Sequence, residues 1–383
     1  MSLPALSPYW AFLTLPLILP FLKSTPPPSR EQILPPDTER VLLLGASSGV
    51  GRDLAHAYAK RGAKICLFAR RKDALDKVRA ECVDLGATES DLLIFAGDVT
   101  STDDLVKVRE GIVTAWGGID TVHILAGLPS TALLLELAGV SLQRPDGSSS
   151  SSSISSAAKL HFTDMSISDL PSSTGLAIPT KEGLDVVAAE ARALAEVNYL
   201  GTVLALACFL PLLASTSVSP ALHHLSSVAA TVPAPHRVIY AATKAAGLQA
   251  IESCRVECEG CGVRFFSFCP GTIDNDFRLK TAFSQKGGRD ETKLPIKHAW
   301  EGLLLSPERV TSTILYHLSL SPAPQPLIPY PPFSWIPALA QPPKHLVHLP
   351  WMYRFAFMVR DTPLGWGYIE PSARKKYGLI GRA

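Results

Sequence analysis

Apolar positions in residues 39–320 come in two textures. Some form short unbroken runs, and others recur every three or four residues along longer stretches. The unbroken run at 41–44 and the mostly apolar runs at 64–69, 92–96 and 120–125 predict short buried strands. The stretches at 51–61, 72–85 and from Ser101 to about Trp116 predict helices, the first with Leu54, Ala55 and Tyr58 on one face. Ser101 is the expected N-cap of the third helix, with Asp104 in the acceptor position of a capping box. This alternation predicts an α/β fold, a doubly wound parallel sheet with helices on both faces. Further on, the pattern predicts a long apolar helix at 184–214, a strand at 222–226, a helix at 238–259 and a strand at 263–268. Ser306-Pro307-Glu308 sets a polar cap and a first-turn proline at the start of another helix, and Leu327-Ile328 is the expected closing strand.

The pattern fails in three places. Residues 139–183 carry no periodicity, and eight of the nine residues 148–156 are serine, as expected of a surface insertion that builds no core. Residues 3–22 contain no Asp, Glu, Lys or Arg, and a helix of that length crosses a hydrocarbon core of roughly 30 Å. A membrane anchor is the expectation, with Tyr9 and Trp10 suited to an interface. A cleaved signal peptide is the rival, although the basic n-region and cleavage site of one are missing. Lys23 and Arg30 follow the segment, which favours a cytosolic catalytic domain. Ten prolines between Pro322 and Pro350, with Trp351, Tyr353, Phe355 and Trp366 beyond, read as a tail that packs on the domain, a partner chain or a membrane surface. The expected organisation is an anchor and linker at 1–38, a catalytic domain at 39–320 with its insertion at 139–183, and an extension at 321–383.

Composition narrows the classes further. A chain of 383 residues, 47% hydrophobic and 18% charged, can bury a large core and is not a disordered protein. A net charge of +2 argues against nucleic acid as a partner. Seven scattered cysteines give no disulfide framework, and Cys254, Cys258 and Cys261 with no nearby histidine make a poor metal set, so no metal is expected. His223 and His224 read as packed or solvated residues of a strand rather than catalytic ones.

Candidate chemistry concentrates at two places. Gly45-Ala46-Ser47-Ser48-Gly49-Val50-Gly51 follows the first strand and opens the first helix. Glycines there let the backbone approach a pyrophosphate, and the helix N-terminus supplies N–H groups. The second strand ends in Ala69-Arg70-Arg71, with two guanidiniums where a carboxylate would repel a 2′-phosphate, so NADP(H) is favoured over NAD(H). Asp98 and Val99 are expected to contact the adenine. Downstream, Tyr240 and Lys244 share one helix face at i, i+4, and Ser227 lies 13 residues before Tyr240 at a strand end. A free phenol titrates near about 10, and a nearby ammonium favours its phenolate, which makes Tyr240 a candidate acid/base. The Ser227 hydroxyl is placed to polarise a carbonyl.

Together Gly45–Gly51, Ser227, Tyr240 and Lys244 resemble the short-chain dehydrogenase/reductase (SDR) family over about residues 40–320. Asn198 looks like the fourth member of that family's Asn-Ser-Tyr-Lys tetrad, and Cys269-Pro270-Gly271-Thr272-Ile273 resembles its Pro-Gly turn beside the nicotinamide. The segment containing Ala126 and Gly127 resembles the end of its fourth strand. The resemblance implies a Rossmann-like domain with Tyr240 as acid/base and Lys244 as its tuner and ribose ligand. Ser227 would sit on the reacting oxygen and Asn198 would hold a relay water. Departures from the family pattern are Leu44 before the first glycine, Ile124-Leu125 before Ala126-Gly127, and Asn275 after the Pro-Gly turn. The apolar N-terminus and the Ala-Arg-Arg strand end look most like microsomal reductases of the 11β-hydroxysteroid dehydrogenase type. That likeness implies a lipophilic carbonyl or alcohol substrate at the endoplasmic reticulum. A 3-ketosphinganine-type reductase and a non-catalytic NADP(H)-binding scaffold stay open as alternatives. Residues 197–214 are apolar enough for a second span, but Gly201 and Pro211 favour a buried helix, one that in this family often pairs across a homodimer.

Overall fold

The computed structural model describes residues 28–143, 161–164, 178–275, 277, 304–321, 325–326, 340–341, 345–369 and 372. Seven parallel strands form one sheet: β1 (Arg40–Leu44), β2 (Lys64–Ala69), β3 (Leu92–Ala96), β4 (Thr121–Ile124), β5 (Ala221–Leu225), β6 (Arg264–Pro270) and β7 (Leu346–Leu349). Their order is β7-β6-β5-β4-β1-β2-β3. Helices α1 (Gly49–Ala59), α2 (Lys72–Asp84) and α3 (Thr102–Trp116) link the first four strands. α4 (Lys181–Ala195) and α5 (Gly201–Thr216) form one long rod joined by a π-helical turn, Glu196–Leu200. α6 (Val238–Glu257), α7 (Pro307–Ser319) and α8 (Met352–Val359) complete the layers.

Most strand positions are apolar because both faces are covered, with Thr121, His123, His223 and His224 among the buried polar exceptions. Val41, Leu43, Ile65, Leu67, Phe266 and Phe268 pack against α1, α2 and α7. Leu42, Leu44, Cys66, Phe68, Val122, Leu222 and Phe265 face α3, α5 and α6. The α4–α5 rod is long and apolar enough to cross a membrane by length and composition. However, Ala205, Leu206, Phe209, Leu210 and Leu213 of α5 are buried, and Phe209 and Leu213 lie in the core against the sheet. That is the buried helix expected from Gly201 and Pro211.

Three details differ from expectation. Ser101 Oγ does accept from the Asp104 backbone N–H, but the Asp104 carboxylate accepts from the Asp98 N–H rather than from Ser101, so no reciprocal box forms. The sheet edge is β7, which lies beyond the boundary expected at residue 320, whereas Leu327-Ile328 lie outside the described residues. A four-residue strand set behind a proline-rich stretch has too little periodicity to be read locally. A hairpin, Val140–Gln143 with His161–Asp164, stands where residues 139–183 carried no pattern. Residues 3–22 and 148–156 lie outside the described residues.

The foot of the sheet is fastened by charge. Buried Arg30 donates to Glu39 Oε1 (2.6 Å), Thr121 Oγ1 (2.7 Å) and the Ser219 carbonyl (3.0 Å). Arg40 grips both oxygens of Asp120 at 2.8 and 2.9 Å. Burial alone would raise the Asp120 carboxyl, but its bonds to Arg40 and Ser217 outweigh this and hold it below the ordinary value.

Candidate active site

In an open parallel sheet, the crevice forms at the carboxyl ends of the strands where neighbouring connections leave for opposite faces. Here α1 leaves β1 for one face, and the chain after β4 leaves for the other. A cleft of about 930 Å³ opens at that point. It is lined by Gly45, Ser47, Ser48, Gly49, Val50, Gly51, Arg70, Arg71, Asp98, Val99, Ala126, Gly127, Ser227, Tyr240, Lys244, Pro270, Gly271 and Ile273. Every site residue expected from the sequence is therefore at this cleft except Asn198.

The glycine turn is forced by contact. Gly45 has φ 111°, and a Cβ there would sit 2.7 Å from the Ala126 nitrogen. A Cβ on Gly51 would sit 2.1 Å from the Gly45 carbonyl oxygen. β1, β4 and the start of α1 can approach one another only without those side chains. Arg71 folds over the turn and donates to Ser47 Oγ and Ser48 Oγ, both at 3.1 Å. Arg70 lies 3.9 Å from Asp98, the arginine exposed and the aspartate half-buried. Asp98 Oδ1 accepts from the Thr100 N–H and hydroxyl, which closes the turn after β3. A bare glycine cradle, the N-terminus of α1 and two guanidiniums at one rim are donors suited to the phosphates of a nicotinamide dinucleotide. The residues fit that group.

At the other end of the cleft, β5 delivers Ser227 and α6 delivers Tyr240 and Lys244. Ser227 caps the short turn Val228–Ala230, and its Oγ accepts from the Ala229 N–H at 3.2 Å. Tyr240 is buried, with its ring edge-on to Phe277 (6.4 Å between centroids) and the Arg237 guanidinium 5.6 Å from its ring centre. Lys244 is buried and donates to the Leu225 carbonyl at 3.0 Å. Desolvation pushes its ammonium down to about 8 from the usual lysine value. Gly127 completes this end: a Cβ there would lie 3.1 Å from both Lys244 Nζ and Asn198 Oδ1.

Asn198 lies behind the cleft. Its Oδ1 accepts from the Leu128 N–H (2.8 Å), and its Nδ2 donates to the Leu128 carbonyl (3.1 Å) and to Thr243 Oγ1 (3.0 Å). The side-chain amide is thus taken up in tying the end of β4 to α6. The π turn that carries it opens the i→i−4 ladder at that point. Sequence reasoning missed Arg237 and Thr243, which stand three residues before Tyr240 and one before Lys244. It also missed Tyr353, whose ring lies 3.1 Å from where a Gly271 Cβ would be. A basic residue at the start of α6 was the one available signal. Asn275, noted as a departure, lines the cleft beside Gly49.

The sequence profile of the short chain dehydrogenase family matches residues 39–144 and 166–285. An 11-beta-hydroxysteroid dehydrogenase-like protein 2 from Arabidopsis thaliana is 41% identical over 93 residues, 24% of this chain and 30% of the relative. An 11-beta-hydroxysteroid dehydrogenase A from Arachis hypogaea is 27% identical over 285 residues, 74% of this chain and 64% of the relative. The chain thus spans about a third of the first of these relatives and just under two thirds of the second. Among solved structures, a short-chain dehydrogenase/reductase from Caenorhabditis elegans with cofactor aligns at TM-score 0.54 and 19% identity, covering 74% of this chain and 90% of that one. An alcohol dehydrogenase from Thermococcus sibiricus complexed with 5-hydroxy-NADP aligns at 0.51 and 21%, covering 74% and 92%. At those identities the structures speak for the fold alone. The profile covers more than half of the chain and falls on the strands, turn and helix that build the cleft, so this chain belongs to the short chain dehydrogenase family, whose fold binds a nicotinamide cofactor.

Proposed function

We propose that this chain is a membrane-attached, NADP(H)-dependent oxidoreductase that interconverts a ketone and a secondary alcohol on a lipophilic molecule. The observation that carries the reading is the convergence of Ser227, Tyr240 and Lys244 at one end of a cleft whose other end holds Arg71 over Ser47 and Ser48. When bound, the nicotinamide supplies or accepts the hydride at the carbonyl carbon. Tyr240 Oη gives a proton to the carbonyl oxygen in reduction and takes it back in oxidation. Ser227 Oγ donates to the same oxygen and fixes the face presented. Lys244, held at the Leu225 carbonyl, contributes the positive charge that favours the phenolate of Tyr240. Asn198 acts through Leu128 and Thr243 and is a positioning residue. Arg71 and Arg70 are assigned to the 2′-phosphate of the cofactor, which makes NADP(H) the partner rather than NAD(H).

The lipophilic substrate, the anchor at residues 3–22, the endoplasmic reticulum and a homodimer belong to this proposal, supported by the apolar N-terminus and the names of the relatives. The test uses full-length protein in detergent. NADPH and NADH are titrated by fluorescence, and cofactor oxidation is then followed over steroid, sphingoid-base and small aromatic ketones. Preferred NADPH binding with turnover of a lipophilic class is expected. Binding with no turnover on any ketone would favour the non-catalytic scaffold.

A further inference from the structure

We propose that the outward face of α8 docks on an anionic membrane surface beside the mouth of the cleft. α8 is apolar on both sides. Its inner side carries Tyr353, Ala356, Phe357 and Arg360. Of these, Tyr353 meets Gly271 of the cleft, Phe357 stacks on His348 of β7, and Arg360 donates to the Thr231 carbonyl at 3.0 Å. On the opposite arc stand Trp351, Met352, Phe355 and Met358, exposed by 78, 42, 49 and 69%. Leu364 and Tyr368 extend the patch past the helix and are also exposed. A surface helix normally turns polar side chains outward, and one that shows Trp, Phe and Met there has an apolar medium to meet.

Charge identifies the medium. Residues 351–383 hold six Lys and Arg against two Asp and Glu, whereas the remaining 350 residues hold 30 against 32. Arg354 stands exposed among the apolar residues of the outer arc. An aromatic and Met face that carries Arg354, in a segment whose sequence is rich in cations, is the make-up of a helix lying in the headgroup layer of an anionic surface. The inner side of α8 rests on Gly271 and Thr231, so the patch lies one helix diameter, about 10 Å, from the walls of the cleft. A molecule dissolved in the bilayer then has a short way into the site. That route rests on the lipophilic-substrate reading above, whereas the docking surface does not.

The test uses the full chain with vesicles of phosphatidylcholine containing phosphatidylserine, and with phosphatidylcholine alone. Some acyl chains are brominated near the headgroup to quench tryptophan. The expected result is quenching on the anionic vesicles that falls with salt and loses its Trp351 share in Trp351→Phe. The double variant Phe355→Ser, Met358→Ser should show the same loss of quenching, with NADPH binding unchanged in the same samples. Co-sedimentation without a Trp351 share, as when residues 3–22 alone hold the chain, would overturn the docking surface and leave the enzymatic reading standing. So would equal quenching on neutral vesicles, or self-association that hides Trp351. Loss of NADPH binding in the parent protein would instead strike the enzymatic reading.

Discussion

The two halves of the sheet are built in different ways. From Arg40 to Trp116 each strand, turn and helix follows the last with few residues between, and packs on its sequence neighbours. From Thr121 onward, β5 waits for the insertion and the α4–α5 rod, and β7 arrives from beyond residue 345. The first half presents the glycine turn, Arg70, Arg71 and Asp98, which on the proposed function cradle a cofactor that is the same for every substrate. The second half presents Ser227, Tyr240, Lys244 and Gly271 from one stretch of chain, but closes them with Gly127 beside Lys244 and Tyr353 beside Gly271, which come from far away in sequence. On the proposed function, the cofactor's cradle comes from local structure, and the reacting end is completed by contacts between residues far apart in sequence.

If that division is real, single changes should damage one half's task and spare the other's. The largest effect is expected from Tyr240→Phe, which should cut turnover by about 10³-fold while leaving NADPH affinity within about twofold, read by steady-state rates and fluorescence titration. Acid should act next, and through the second half. His123 on β4 and His223 on β5 share a hydrogen bond between their Nδ1 atoms at 2.8 Å, and Tyr58 of α1 bonds His123. Burial holds His123 well below the ordinary histidine value, with the neighbouring His223 and Arg30 adding to it, and pushes His223 down to about 3. The unfolded chain therefore binds more protons than the folded one below about pH 6.5. Stability is full above that value and lost as pH falls toward 3, by about 1 kcal/mol per unit for each ring. A melting temperature that is flat between pH 7 and 5 would contradict this.

Val347 on β7 is buried, so Val347→Asp should cost about 3 kcal/mol in denaturant unfolding if the edge strand belongs to the core. A surface-like cost below about 0.5 kcal/mol would return the fold to the boundary expected at residue 320. Arg71→Glu is the converse of Tyr240→Phe. It should weaken NADPH by about 10–100-fold and NADH far less, with turnover at saturating cofactor largely kept. The smallest effect is on stability at Lys244. Its burial as a cation costs the fold at neutral pH, so Lys244→Met should abolish turnover yet raise the melting temperature by about 2–4 °C.

The same division explains what could be read in advance. β2 and β3 were expected at the bounds they have, and β1 and α1–α3 within about two residues, because each is marked by its own run, cap or glycine. Ser227, Tyr240 and Lys244 were legible as a spacing. Asn198 was legible as a residue, but its bonds to Leu128 and Thr243 were not, since those partners lie 70 and 45 residues away. β7 and α8 were hidden because their meaning comes from what they pack against: Phe268 and Cys269 on β6, then Gly271 and Thr231. Arg237 was hidden for the same reason, since the ring beneath it is defined by the first turn of α6.

The most direct test of the central claim is a single-turnover measurement. Full-length protein is loaded with NADPH and mixed with a lipophilic ketone, and the loss of cofactor absorbance is followed in the parent, Tyr240→Phe and Arg71→Glu. The account predicts fast oxidation in the parent and none in Tyr240→Phe despite full loading. In Arg71→Glu it predicts oxidation that returns once the cofactor is raised. Oxidation in Tyr240→Phe at the parental rate would contradict it.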